Sequence, residues 1–469
     1  MDGRVRIHML RTLLVRRSAL VFLTSVGVMT LPADAAAQYA LPLLSTEIDL
    51  AAFDIPSVDE IRRGRVSVVY KTEGVELVPY YVRADAHQPR PSYPDPPLTP
   101  TRSDAPRVDT RQTALWVWNT AEILRVAEER RAFLDFVEAR GITRIFLYLP
   151  PAEGERARSG FIPFSSAEVG PLLGELTARG ARAYALDGDR YYVLDENHEG
   201  VYRTVRALVE HNRRVPEEQR FLGVRYDIEP YLVPGFQGAL RQQLLDGYVT
   251  LIAGAAEIAG EGGLRIAVDI PFWFDAPDEE SGVYMEATLD GHRAPILDHV
   301  MAHVDDIAIM DYRTSALGAN GAVVHAHREL ELGEQYGVDV FVGVETVDLP
   351  DEDLLTFFGP SGEGLPSHSD ARWIVLEGRH EARPRIWVVD SSEALAELRE
   401  RTRGAASLRH WAAGRPARVA ADMQSFHHLG ADRMHEVTDE IVRHLTGSAA
   451  FVGLAYHEYR TLKELFERR

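Results

Sequence analysis

The stretch Leu222-Gly-Val-Arg-Tyr-Asp-Ile-Glu-Pro-Tyr231 is a short β-type run that ends in two acids and a tyrosine. Longer segments of helical character flank it, at residues 201–213 and 236–259. The same alternation extends in both directions. Apolar runs at 114–118, 145–148, 181–186, 222–226, 264–268, 306–310, 338–344 and 451–455 alternate with helix-like stretches such as 122–140, 167–179, 294–304 and 321–336. Strands separated by helices imply right-handed crossovers and a parallel sheet. Eight such units predict an α/β fold of the (β/α)8 TIM-type barrel class. The alternative is an open doubly wound sheet, but no Gly-x-Gly-x-x-Gly turn follows the first strand to support it.

Outside the barrel, the sequence predicts a signal peptide over 1–37, a small β-rich appendage over 38–86 and a proline-rich linker over 87–110. The barrel occupies 111–469, with a large insertion between strands 7 and 8 at about 349–430. The signal reading rests on Arg4, Arg6, Arg11, Arg16 and Arg17, followed by an apolar stretch at 19–31 and small residues at 33–37. That stretch is shorter than the ~20 residues a bilayer span needs, so the expectation is export to the periplasm or outside the cell. No stable membrane insertion is expected after cleavage. Residues 65–70 and 75–82 alternate as a hairpin would. Within the insertion, 373–376 and 385–389 read as strands, and 392–403 and 431–445 as helices.

Composition narrows the class. The 469 residues include 71 acidic and 51 basic side chains, for a net charge of −20, which argues against a nucleic-acid or anionic-membrane partner. There is no cysteine, so disulfides, thiolate metal sites and cysteine nucleophiles are excluded. Neither a Gly-x-Ser-x-Gly elbow nor a phosphate-binding Gly-x-x-x-x-Gly-Lys is present.

The strand ends carry the chemistry, since barrel sites form where strands feed their βα loops. Trp118, Tyr148, Asp187, Asp269, Trp273, Asp311, Tyr312, Glu345, Tyr456, His457 and Glu458 all fall there. Aromatic faces stack on the C–H faces of sugars, and carboxylates accept hydroxyl hydrogen bonds and move protons. Within Asp227-Ile-Glu229, residues two apart on a strand point the same way, so both acids can face one cavity. Close acids cannot both ionise freely, and one becomes a proton donor near neutral pH. Glycoside hydrolysis requires such a pair.

Residues 223–229 resemble the fourth-strand signature of family-18 glycoside hydrolases, the chitinase-like enzymes, written Asp-Gly-x-Asp-x-Asp-x-Glu. Gly223, Asp227 and Glu229 match it, and Met310-Asp-Tyr312 resembles the family's sixth-strand Met-x-Tyr-Asp motif. The resemblance implies that Glu229 is the general acid. It implies that Asp227 orients a substrate acetamido group acting as nucleophile, and that Tyr312 holds that group. Four positions depart from the pattern: Leu222 and Arg225 replace the earlier acids, Arg313 follows the tyrosine, and Tyr456 or His457 stands for the eighth-strand tryptophan.

The expected function is therefore an exported glycosidase acting on a poly- or oligosaccharide. Its expected substrate contacts are Trp118, Tyr148, Asp187, Asp269, Trp273, Asp311, Glu345, Tyr456, His457 and Glu458, with no cofactor and no metal. Should the substrate lack an acetamido group, Asp227, Asp269 or Glu345 would serve as nucleophile or base. The alternatives are a non-catalytic carbohydrate-binding protein on a barrel scaffold, and a metal-assisted hydrolase using His457 and Glu458 with Asp227 or Asp269. The pair His427-His428 reads as solvated, and Asp187-Gly-Asp189 as an ordinary turn.

Overall fold

A computed structural model describes residues 112–149, 166–275, 284–356 and 417–468, apart from short breaks between 233 and 240 and at 319. It also describes the backbone of strands at 44–46, 66–73, 76–83, 372–378, 385–389 and 407–413. The expected signal, the proline-rich linker and the helix at 392–403 lie outside the described residues.

Eight parallel strands close into a barrel: β1 Gln112–Val117, β2 Arg144–Tyr148, β3 Arg182–Asp187, β4 Gly223–Asp227, β5 Arg265–Pro271, β6 Asp306–Met310, β7 Asp339–Glu345 and β8 Phe451–His457. Each is followed by a helix. These are α1 Ala127–Ala139, α2 Ser166–Ala178, α3 Asp195–Arg214, α4 Arg241–Glu261, α5 Ile296–His303, α6 His327–Tyr336, α7 Gly430–Leu445 and α8 Tyr459–Glu467. The (β/α)8 expectation describes this molecule. Local chemistry supports the helix ends. Helix α3 opens on Asp195 and Glu196 and closes on His211, Arg213 and Arg214, matching the helix dipole. Helix α6 stops at Gly337, whose left-handed φ of 72° suits glycine.

Period-2 alternation sorts the strand side chains into two cores. Leu115, Ile145, Ala183, Val224, Ile266 and Ile307 face the helices. Ala114, Trp116, Phe146, Tyr184, Ala267, Ala308 and Phe341 face inward and fill the barrel. Burying each large ring stabilises the fold by about 1.5–3 kcal/mol. At the β7–β8 seam the register shifts by one: Val340 pairs with Phe451 and Phe341 with Gly453, leaving Val452 of β8 unpaired. A Cβ at Gly453 would lie 1.8 Å from the carbonyl oxygen of Gln112, so β1 can approach β8 only because that position is glycine.

An ion network lies within the barrel. The Arg225 guanidinium is fully buried, 3.8 Å above the Phe146 ring, and donates to Asp269 (2.5 Å) and to Asp306. Asp306 also accepts from the Tyr184 hydroxyl, and Arg265 pairs with Asp339 at 2.8 Å. Desolvating such charges costs several kcal/mol each, so every member depends on its partners.

Outside the barrel, residues 66–73 and 76–83 pair as an antiparallel hairpin. The hairpin joins strands 352–356 and 417–419 in one four-stranded sheet. Strands at 372–378 and 385–389 form a second sheet with 44–46 and 407–413. N-terminal strands thus pair with strands from the β7–β8 connection.

Candidate active site

Inward parity points the strand-end side chains toward the C-terminal rim, except on β3, where Tyr184 and Leu186 face inward and Asp187 has the opposite parity. On β4 the inward series runs Gly223, Arg225, Asp227 and then Glu229, which caps a short 3-10 turn at Pro230–Leu232. Glu229 is buried and accepts from the Tyr231 hydroxyl. One oxygen of Asp227, Oδ1, is buried without a hydrogen-bond partner. Burial first, then the charges of Glu229 and Asp269, push the Asp227 carboxyl well above the usual range, with Arg225 opposing. The guanidinium itself is turned toward Asp269 and Asp306.

Tyr312, just past β6, is buried. Its hydroxyl pKa is raised by burial and by the charges of Glu345, Asp227, Asp269 and Glu229. The ring stacks on His457 at 5.8 Å. His457, the last residue of β8, lies within two hydrogen bonds. Its Nδ1–H donates to Glu345 (3.0 Å), and its Nε2 accepts from the Trp118 indole N–H (2.9 Å). Burial lowers the imidazolium pKa, but Glu345 outweighs it and the result is a raised value. With both nitrogens engaged, His457 is not placed to ligate a metal. Trp118 leans on Tyr148, centroids 5.2 Å apart, and the neighbouring Asn119 side chain has both polar atoms buried without a partner.

Two of the expected contacts are carboxylates already committed to the protein. Asp269 accepts from Trp116 (2.9 Å) and Arg225, and Glu345 accepts from the Thr346 and Val347 amides at 2.7 Å each as well as from His457. Both are sealed from solvent. Asp187 accepts from the Gly188 amide (2.8 Å) and Tyr192, and burial pushes it up to about 6. Its charge acts on Tyr148.

The structure therefore gathers Trp118, Tyr148, Asp187, Asp227, Glu229, Asp269, Tyr312, Glu345 and His457 around the rim. It places four expected contacts elsewhere. Asp311 has the opposite parity to Tyr312 and pairs with His325 at 2.9 Å, away from the rim. Tyr456, opposite in parity to His457, faces Thr438 and Asp439 of α7. Trp273 is buried against Tyr231 (5.0 Å), so it supports the residue that bonds Glu229 rather than offering a platform. Glu458 caps α8. Three residues of the site went unassigned in the sequence reading: Trp116, Tyr231 and Arg225. Inward parity was the available signal for Trp116 and Arg225; nothing local marks Tyr231.

A search of family profiles and of curated proteins finds no match for this sequence. Among solved structures, the chain is similar to a Group IV chitinase of Ostrinia furnacalis (TM-score 0.38, 10% identity, 75% of this chain and 94% of that one). It is also similar to a glycoside hydrolase family 18 N-acetylglucosaminidase of Paenibacillus barengoltzii (0.37, 12%, 76% and 99%). A third likeness is to the spore cortex-lytic enzyme SleL of Bacillus megaterium QM B1551 (0.36, 10%, 76% and 72%).

Proposed function

We propose that this protein is a glycoside hydrolase in which Glu229 donates the proton to the leaving oxygen and Asp227 assists. The observation that carries the reading is the pair of acids at the barrel rim, Glu229 buried and Asp227 half-buried, with burial and the charge of Glu229 biasing Asp227 toward its protonated form. The Tyr231 hydroxyl donates to Glu229 and orients its carboxyl group, while the raised Asp227 keeps a proton at the rim. Trp118 and Tyr148 supply the aromatic wall that a sugar ring stacks on.

The same geometry bears on the nucleophile. Asp269 and Glu345 are each held by several donors in buried positions, and Asp227 is biased toward its protonated form. This favours a substrate that brings its own nucleophile, a 2-acetamido sugar whose carbonyl oxygen attacks the anomeric carbon while Tyr312 holds the group.

The test is Glu229→Gln assayed on chromogenic N-acetylglucosamine oligomers and on matching glucose oligomers. The expected result is turnover of the acetamido series alone, lost in the variant while binding persists. Unchanged turnover overturns the assignment; binding without turnover in the unaltered protein supports the carbohydrate-binding alternative. Export belongs to this proposal too, resting on the arginine-rich, then apolar, then alanine-rich N-terminus. N-terminal sequencing of the mature protein is expected to begin near residue 38.

A further inference from the structure

Outside the rim, the turn after β7 and the segment before α7 bring together Asp348, His427 and His428. Each offers a ligand atom within 4.8 Å of the others. Asp348 Oδ1 is 3.0 Å from His428 Nε2, and its Oδ2 is 3.9 Å from His427 Nε2. Ligands about 2.1 Å from a tetrahedral ion stand about 3.4 Å apart, and these two separations bracket that figure. His427 is also prepared electronically. Its Nδ1 faces the carbonyl oxygen of Thr346 at 3.3 Å, a contact only an N–H can make, so Nε2 carries the lone pair. The group now meeting that lone pair is a cation: Arg468 Nη2 donates to it at 3.0 Å.

We propose that Asp348, His427 and His428 form a site for a zinc-class divalent ion, with the Arg468 guanidinium as its built-in competitor. Two imidazoles and one carboxylate suit zinc better than magnesium or calcium, which prefer all-oxygen sets. The ion would join the β7 turn to the start of α7, next to Thr346 and Val347, whose amides fix Glu345. The Arg468 side chain is half-exposed, so it can swing away. The proposal is independent of the hydrolase reading.

The experiment is calorimetric titration of the chelator-treated full chain with zinc ion alone, paired with cobalt(II) absorption to report tetrahedral coordination. One saturable site per chain is expected. His428→Ala and Asp348→Asn are each expected to weaken it at least about tenfold, a loss of the size seen when even supporting groups are removed. Arg468→Ala is expected to tighten it, which a chance pair of surface histidines would not show. Circular dichroism confirms that each variant is folded. Absence of binding in both the unaltered protein and Arg468→Ala overturns the site, as does binding that survives both ligand substitutions. Unchanged affinity in Arg468→Ala overturns the competitor role.

Discussion

Replacing Glu345 by glutamine alters one atom and tests the hydrogen-bond chain that sets the rim. Oε1 takes the Thr346 and Val347 amides at 2.7 Å, so the amide oxygen of the replacement side chain must stay there. The new NH2 group then turns a hydrogen toward the His457 Nδ1–H across 3.0 Å, leaving Nδ1–H only its 3.1 Å contact with the retained oxygen. Moving the histidine proton to Nε2 only transfers the clash to the Trp118 N–H, 2.9 Å away. One buried donor is left unmatched either way, and a charge-assisted bond is lost, for an expected cost of about 2–4 kcal/mol. Urea unfolding reads the stability, and nitrogen NMR of the imidazole reads the tautomer.

The variant also changes pH dependence. A raised His457 pKa means that the ion pair with Glu345 stabilises the fold below the unfolded value of about 6.5. That contribution is lost as pH rises through the folded value. In Glu345→Gln burial is no longer outweighed, so stability is expected to stop falling as pH rises through this range. Protonation of Nε2 must also release the Trp118 indole, so acidification is expected to change tryptophan fluorescence in the unaltered protein. A variant within about 0.5 kcal/mol of the original, with His457 still protonated on Nδ1, would refute the reasoning.

Three further outcomes are expected. Arg225→Met leaves Asp269 buried without its cation and Asp306 with only the Arg265 cation, at 3.7 Å, and is expected to cost about 3–5 kcal/mol in chemical denaturation; a loss under ~1 kcal/mol would mean that the network is not held by charge. Gly188→Ala puts a Cβ 1.9 Å from the Asp227 carbonyl oxygen, so β4 must shift at the acid pair; turnover is expected to fall further than stability, read by parallel kinetics and unfolding. Glu329 is buried on α6 with neither carboxyl oxygen bonded to another residue, and burial first, then Asp275, pushes its pKa well up. Its raised pKa means that stability declines as pH climbs above the unfolded value of about 4.3, and Glu329→Gln is expected to flatten that decline in a pH series of melting temperatures.

The barrel was legible because its signal is local: apolar runs of strand length, separated by segments of helical length, state the alternation without reference to contacts. The spacing of the two acids was legible for the same reason, since residues two apart on a strand share a face; that β4 ends at Asp227 and Glu229 opens the Pro230–Leu232 turn was not. Parity could also have separated Tyr312 from Asp311 and His457 from Tyr456, because neighbours on a strand end cannot both face inward. What the sequence did not contain was partnership. That Arg225 serves Asp269 and Asp306, 44 and 81 residues away, depends on how eight strands tilt around a common axis. The same holds for Glu345, which is tied to a histidine 112 residues further on and so is committed to structure rather than chemistry. A carboxylate's type and spacing are written along the chain; whether it is free to react depends on which donors closure of the ring brings within three ångströms, and only the tertiary structure decides that.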